Sequence, residues 1–220
     1  MKHFLSLLSL LGSLSVLAGP ALPPWQQAPL LDHLTEVNPR WALLPEAAEL
    51  CVPVAFHSDR TRIQAHLQMV ESWLRQHTDP TDAVRLAHLQ TLAHYRQAGA
   101  FPQNTYSDQR HPYFIDAAGT ACAVGHLMIE SGEEALARQI SREQNDAYLL
   151  ELLDRAALVS WAKAAGFTAE ELALIQPGYP PAATWTSLGD GADGPVTALF
   201  HDSANGRLLL GGAFTELQGV

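Results

Sequence analysis

Apolar positions recur with helical spacing through most of the chain. Between residues 62 and 76, Ile63, Leu67, Val70 and Leu74 follow one another at steps of four, three and four, which is one face of a helix. His66, Glu71 and Arg75 flank that face. A second helix is predicted from Asp79-Pro80-Thr81-Asp82 onward, with Val84, Leu86, Leu89, Leu92 and Ala93 as a broad apolar face and Gly99 as its terminator. A third spans Glu133 to Glu143, carrying Leu136 and Ile140. A fourth covers Ala156 to Ala165 and stops at Gly166. Thr168-Ala169-Glu170-Glu171 is a capping box that opens a last helix through Leu172, Leu174 and Ile175, which Pro177 ends.

The period changes to two near the C-terminus. Val196, Ala198 and Phe200 alternate with Thr197, Leu199 and His201, so a strand is predicted there. Asn205-Gly206 supplies a hairpin turn, and Arg207 to Leu210 a second strand. The expected fold is a mainly α N-terminal domain with a short β hairpin at the C-terminus. Pro177, Pro180 and Pro181 stiffen the junction between them. The divisions drawn are an export signal over 1–18, an irregular lead-in over 19–32, a helical domain over 33–178, a Pro-rich linker over 179–184 and the β segment over 185–220.

The first residues have a different character. Lys2 precedes a run from Phe4 to Leu17 broken only by Ser and Gly, followed by small residues at Ala18. This is the layout of a secretory signal peptide, with cleavage after Ala18 or, alternatively, Ala21. A run of this length is short for a bilayer span of roughly 20 residues, and no cysteine follows it to carry a lipid. The expected location is extracellular or periplasmic, without membrane insertion after cleavage.

Composition narrows the function. The 220 residues hold 13 Lys+Arg against 23 Asp+Glu, a net charge of −10, with 47% hydrophobic residues. An acidic chain is repelled by nucleic-acid backbones, so nucleic-acid partners are excluded. The apolar content excludes wholesale disorder.

Candidate chemistry is sparse. Cys51 and Cys122 are the only cysteines, and in an exported chain an even pair reads as a disulfide. The closed loop of about 70 residues would contribute roughly 3–4.5 kcal/mol. A rival reading makes Cys122 a nucleophile near a helix start, with His126 one turn on and Asp116 upstream, the constellation of an exported hydrolase. His111, His126 and Asp116 also come together in sequence, yet no HxxxH or HExxH spacing occurs. No metal site, cofactor site or catalytic set is therefore assigned. Gly189, Gly191 and Gly194 approach a GxGxxG pattern, but a strand follows where a dinucleotide site needs a helix. In the middle segment Asp116 suits an Asx turn, Thr120 an N-cap, and Gly125 a close approach by another backbone.

Two resemblances add to this reading. The string Pro112-Tyr113-Phe114-Ile115-Asp116, continuing through Gly119, Cys122-Ala123-Val124-Gly125-His126-Leu127-Met128 and Ser131-Gly132 to Ile175-Gln176-Pro177-Gly178-Tyr179, resembles a helical domain of secreted bacterial proteins, over about residues 89–180. The resemblance implies export and a helical fold. It carries no catalytic residues, and the position of His126 also takes an aromatic in that pattern. Trp185, Leu188-Gly189, Gly191, Gly194, Val196, Ala198-Leu199 and Gly211-Gly212-Ala213-Phe214-Thr215 resemble the first repeat of kelch-like secreted β-propellers. That resemblance implies an incomplete blade and a binding role toward a protein or glycan. The function expected is that of an exported bacterial binding or interaction protein without catalysis.

Overall fold

The computed structural model describes residues 22–45, 49–182, 191–202, 207–215 and 217–218. The export signal with its two cleavage positions, the end of the linker, Trp185 to Gly189 and the Asn205-Gly206 turn lie outside the described residues.

Seven α-helices build the N-terminal unit among the described residues. They are α1 (Leu30–Val37), α2 (Asp59–Gln76), α3 (Ala83–Ala98), α4 (Ala123–Glu130), α5 (Glu134–Gln144), α6 (Ala156–Ala164) and α7 (Ala169–Ile175). Two 3-10 turns, Pro39–Leu43 and Leu149–Leu152, fill gaps between them. Helix α2 forms as its periodicity predicts. Ser58 and Thr61 make a reciprocal capping box at its start, and Ile63, Leu67, Val70 and Leu74 are all buried. Each such side chain contributes about 2 kcal/mol by leaving water.

Helix α3 packs along α2 and is capped by Asp82, whose carboxylate accepts the Arg85 N–H. Gly99 ends it in the left-handed conformation, φ 61°. Helix α4 rests on α3 and α5, and α7 touches α2, α4 and α6. The core runs through all of these, with Leu127, Met128, Ile140, Leu149 and Ile175 fully buried.

Helix α1 begins inside the stretch up to Asp32 that reads as an irregular lead-in and runs on into the expected helical domain. Pro29 precedes it and gives no side-chain cap. Its first N–H groups are satisfied instead by chain from further on: Leu30 donates to Val52 and Leu31 to Leu50. Next to this contact, the strands β1 (Ala28–Pro29) and β2 (Pro53–Val54) pair antiparallel.

Residues 176–182 are extended, as three prolines in this stretch suggest, but they are stitched to the helical unit. Tyr179 is buried and exchanges backbone hydrogen bonds with His111, and Ala182 donates to the Asn104 carbonyl.

The C-terminal segment forms two small antiparallel sheets. Strand β3 (Gly191–Ala192) pairs with β6 (Leu217–Gln218), and β4 (Val196–Asp202) pairs with β5 (Arg207–Gly212). The β4–β5 register is Leu199 opposite Leu210 and Phe200 opposite Leu209, with an irregularity between Val196 and Ala198. The mainly α domain and the terminal hairpin are therefore as the sequence predicts.

Candidate functional site

The segment that looked richest in chemistry is built from the turn before α4. Phe114 is buried and donates its N–H to the Asn145 carbonyl; the Asn145 side chain both accepts from the Ile115 N–H and donates to the Ile115 carbonyl. The chain then reverses. Asp116 holds the reversal as an Asx turn, its Oδ1 accepting from Ala118 and Thr120 at 2.9 and 2.8 Å and its Oδ2 from Gln103 at 3.0 Å. Both carboxylate oxygens are thus committed to backbone donors.

Cys122, not Thr120, is the N-cap of α4: its Sγ accepts from the Gly125 N–H at 3.3 Å. Two buried tyrosines close the same corner. Tyr95 donates to the Ala121 carbonyl at 2.9 Å, so the 3.3 Å contact between the Tyr95 and Tyr179 hydroxyls is donated by Tyr179. The Gly125 donor at the start of α4 is therefore capped by the thiol rather than left open for a ligand. Gly125 is small for the reason expected: a Cβ there would meet the Phe114 ring at 3.2 Å and the Phe114 carbonyl at 3.3 Å.

These contacts decide what the cluster can do. The Cys122 thiol is fully buried, and burial pushes it up to about 11, against the downward pull of the Gly125 and Val124 N–H groups. At pH 7 about one molecule in ten thousand would hold a thiolate there, which is the opposite of an activated nucleophile. His126 is half-buried and lies over the Tyr95 ring at 4.9 Å; burial lowers its pKa, with Glu130 opposing. Asp116 orients its own turn rather than a histidine. Cys122, His126 and Asp116 stand in one neighbourhood as structural residues.

The expected Cys51–Cys122 bond is not formed. Cys122 points into the α4 cap while Cys51 is exposed in the segment that leads to β2. We expect native protein at pH 8 to take one equivalent of a small alkylating reagent, at Cys51, with Cys122 labelled only after denaturation. Mass mapping of the alkylated peptides checks this; unreactive thiols before reduction would restore the disulfide.

Apart from Glu171 and Gln176, the polar groups that organise the unit were not singled out from the sequence. Asn38 donates to the carbonyls of Ala173, Leu174 and Gln176, closing the end of α7. Gln176 accepts from the Leu149 N–H and donates to Ala147. Asp59 receives Arg62 through Nε at 3.0 Å and also receives Arg110, which reaches Glu36 at 3.7 Å and the Gly178 carbonyl at 2.8 Å. Arg85 forks onto Glu171 at 2.7 and 2.9 Å. Only the pairing of Asn with the following Pro39, and the Gln in Ile175-Gln176-Pro177-Gly178, signalled that something specific happens there.

Among the described residues, clefts on the helical unit include two beside α6. One, of about 560 Å³, lies beside α6 and is lined by His88, Ser131, Glu133 and Trp161 among others; the Trp161 indole donates to the Ser131 hydroxyl at 2.9 Å. The other, of about 240 Å³, runs between α6 and α7. Among the described residues no three His, Cys, Asp or Glu side chains come together to hold a metal ion, and no helix is long and apolar enough to cross a membrane.

The hairpin presents a different surface. Leu199, Phe200, Leu208 and Leu209 are exposed at 57%, 64%, 45% and 52%, and because neighbours along a strand point oppositely, both faces carry them. Its base is built tightly. A Cβ on Gly194 would strike the Ala213 carbonyl, and one on Gly212 the Pro195 carbonyl. Asp193 accepts the Thr215 N–H at 2.8 Å across the same crossing. The repeated glycines of this segment thus mark a backbone crossing. Comparison with protein-family models, curated proteins and solved structures finds no match for this chain.

Proposed function

We propose that this is an exported bacterial interaction protein, in which the helical unit is a scaffold and the C-terminal hairpin is a binding element that works as one blade of a propeller-type array. The observation that carries this reading is the hairpin itself: apolar side chains are exposed on both of its faces. Strands of that kind expect cover on two sides, and an isolated two-stranded hairpin is marginal in water. A surface so built is made to be covered, by further repeats or by a protein partner. Export rests on the Lys2 and Phe4–Leu17 pattern. The hydrolase alternative has the enclosed, high-pKa Cys122 thiol against it.

The test is association state. Full-length mature chain should self-associate in sedimentation velocity as concentration rises, while a chain ending at Ala182 should stay monomeric. Leu199→Asp with Phe200→Asp should behave as the truncation does. A monomeric full chain with slow amide exchange across Val196–Phe200 would mean that the hairpin is already covered by the helical unit, and would overturn the reading.

A further inference from the structure

The groove between α6 and α7 is walled by Leu158, Phe167 and Leu172, all buried, with Leu153 and Val159 exposed at 39% and 45% at its mouth. Lys163 lines the same groove. It is the one lysine of the chain besides Lys2. Most of the arginines are paired with acids, as Arg40 is with Glu170 and Arg85 with Glu171 on the neighbouring helix. Lys163 has no acid within ion-pair reach among the described residues. Its neighbours one turn away on either side, Val159, Ser160, Gly166 and Phe167, carry no charge. In a chain of net charge −10, an unpaired ammonium on an apolar groove is a local exception to the surrounding potential.

We propose that this groove binds a small single-tailed carboxylate, with the hydrocarbon between α6 and α7 and the carboxylate on Lys163. A cavity that is mostly apolar with one placed polar group is the usual design of a small-ligand site. At about 240 Å³ it is smaller than the roughly 300–1,000 Å³ of drug-sized sites, which limits the occupant to a short tail. A narrow cleft with buried walls takes a free chain, not the face of a bilayer. The assignment stands apart from the role of the hairpin, which lies in a different part of the chain.

Isothermal titration of the full mature chain with hexanoate, heptanoate and octanoate, all below micelle formation, tests it. Binding should saturate at one site and tighten about fourfold per added methylene. Lys163→Met should weaken octanoate three- to fivefold, the size expected for one partly exposed charge contact, and leave octan-1-ol unchanged. Val159→Trp, at an exposed position that tolerates bulk, should fill the mouth and abolish binding of both. Absence of saturable binding, an equal loss of acid and alcohol in Lys163→Met, or undiminished binding in Val159→Trp would each overturn the proposal. Binding of phosphatidylglycerol vesicles without binding of free octanoate would also overturn it, by assigning Lys163 to a membrane surface.

Discussion

Asp59→Ala should cost this protein about 3 kcal/mol, while Glu134→Ala should cost less than about 0.5 kcal/mol, although both remove a carboxylate from an arginine on or beside a helix. The difference is what each leaves behind. The Arg138–Glu134 pair is half-exposed on both sides, at 56% and 54%, so water solvates either partner when the other is gone. Arg62 is 2% exposed. Its Nε and one terminal nitrogen meet Asp59 at 3.0 and 2.5 Å, and its other nitrogen meets the Leu22 carbonyl at 2.7 Å. Arg110 shares Asp59, and burial already pulls its pKa down from the usual arginine range, with Asp59 the chief opposing influence. Without Asp59 two guanidiniums are left with Glu36, itself 3.7 Å from Arg110, and two backbone carbonyls. In a domain of this size 3 kcal/mol lowers the melting temperature by about 6–12 °C. Thermal denaturation of the two variants side by side checks it, and equal shifts would show that the Asp59 network contributes no more than a surface pair.

That network also shows where sequence reading stops. Helices α2 to α7 were legible because periodicity, caps and glycine terminators act within a few residues of one another: the Thr168–Glu171 box and Gly99 are local facts. Val84 was expected on the apolar face of α3 but is 52% exposed: the buried row runs through Arg85, Leu89 and Leu92, at steps of four and three, and Val84 lies one position off it. The start of helix α1 falls inside the predicted lead-in because its opening N–H groups are satisfied by Leu50 and Val52, some twenty residues away. Nothing inside residues 28–32 announces that. The same holds for Asn38, whose three acceptors lie at 173, 174 and 176.

The candidate site was legible in position; what the sequence suggested and the structure does not form is the Cys51–Cys122 bond. The Asx turn at Asp116 and the tight contact at Gly125 were expected and are present. Cysteine, histidine and aspartate within eleven residues left catalysis open as the rival reading, because spacing alone cannot say whether a thiol faces solvent. Tyr95 and Tyr179 decide that question, and they come from other parts of the chain. In the hairpin, by contrast, the alternation is local, and both the strands and their two apolar faces follow from it.

Acid should unfold this protein earlier than its carboxylates alone would, because of His66. The ring, on α2, is fully buried, and its Nδ1 accepts the Trp41 indole N–H at 2.8 Å. That bond fixes the neutral tautomer with hydrogen on Nε2, which lies against the Ile175 carbonyl outside good hydrogen-bond geometry. Protonation at Nδ1 would set two N–H donors against each other in a site that water does not reach. Burial accordingly lowers the pKa from 6.5 to about 3, with the nearby Arg110 charge adding to the effect and the Ile175 carbonyl opposing it. Below pH 6.5 the unfolded chain takes up this proton and the folded chain does not. The stability His66 supports is therefore complete above pH 6.5 and falls by about 1.4 kcal/mol per pH unit down to about pH 3, where the loss levels off. At pH 5 that is already about 2 kcal/mol, in a range where most carboxylates have not begun to titrate. His66→Gln keeps an acceptor for Trp41 and a donor for Ile175 but cannot titrate. Urea denaturation at pH 7, 6 and 5 should show the parent losing about 2 kcal/mol more across this series than His66→Gln, which keeps only the contribution of the half-buried His126. Parallel losses in the two proteins would place the acid sensitivity elsewhere, and a rise in the stability of the parent on acidification would contradict the burial of a neutral ring.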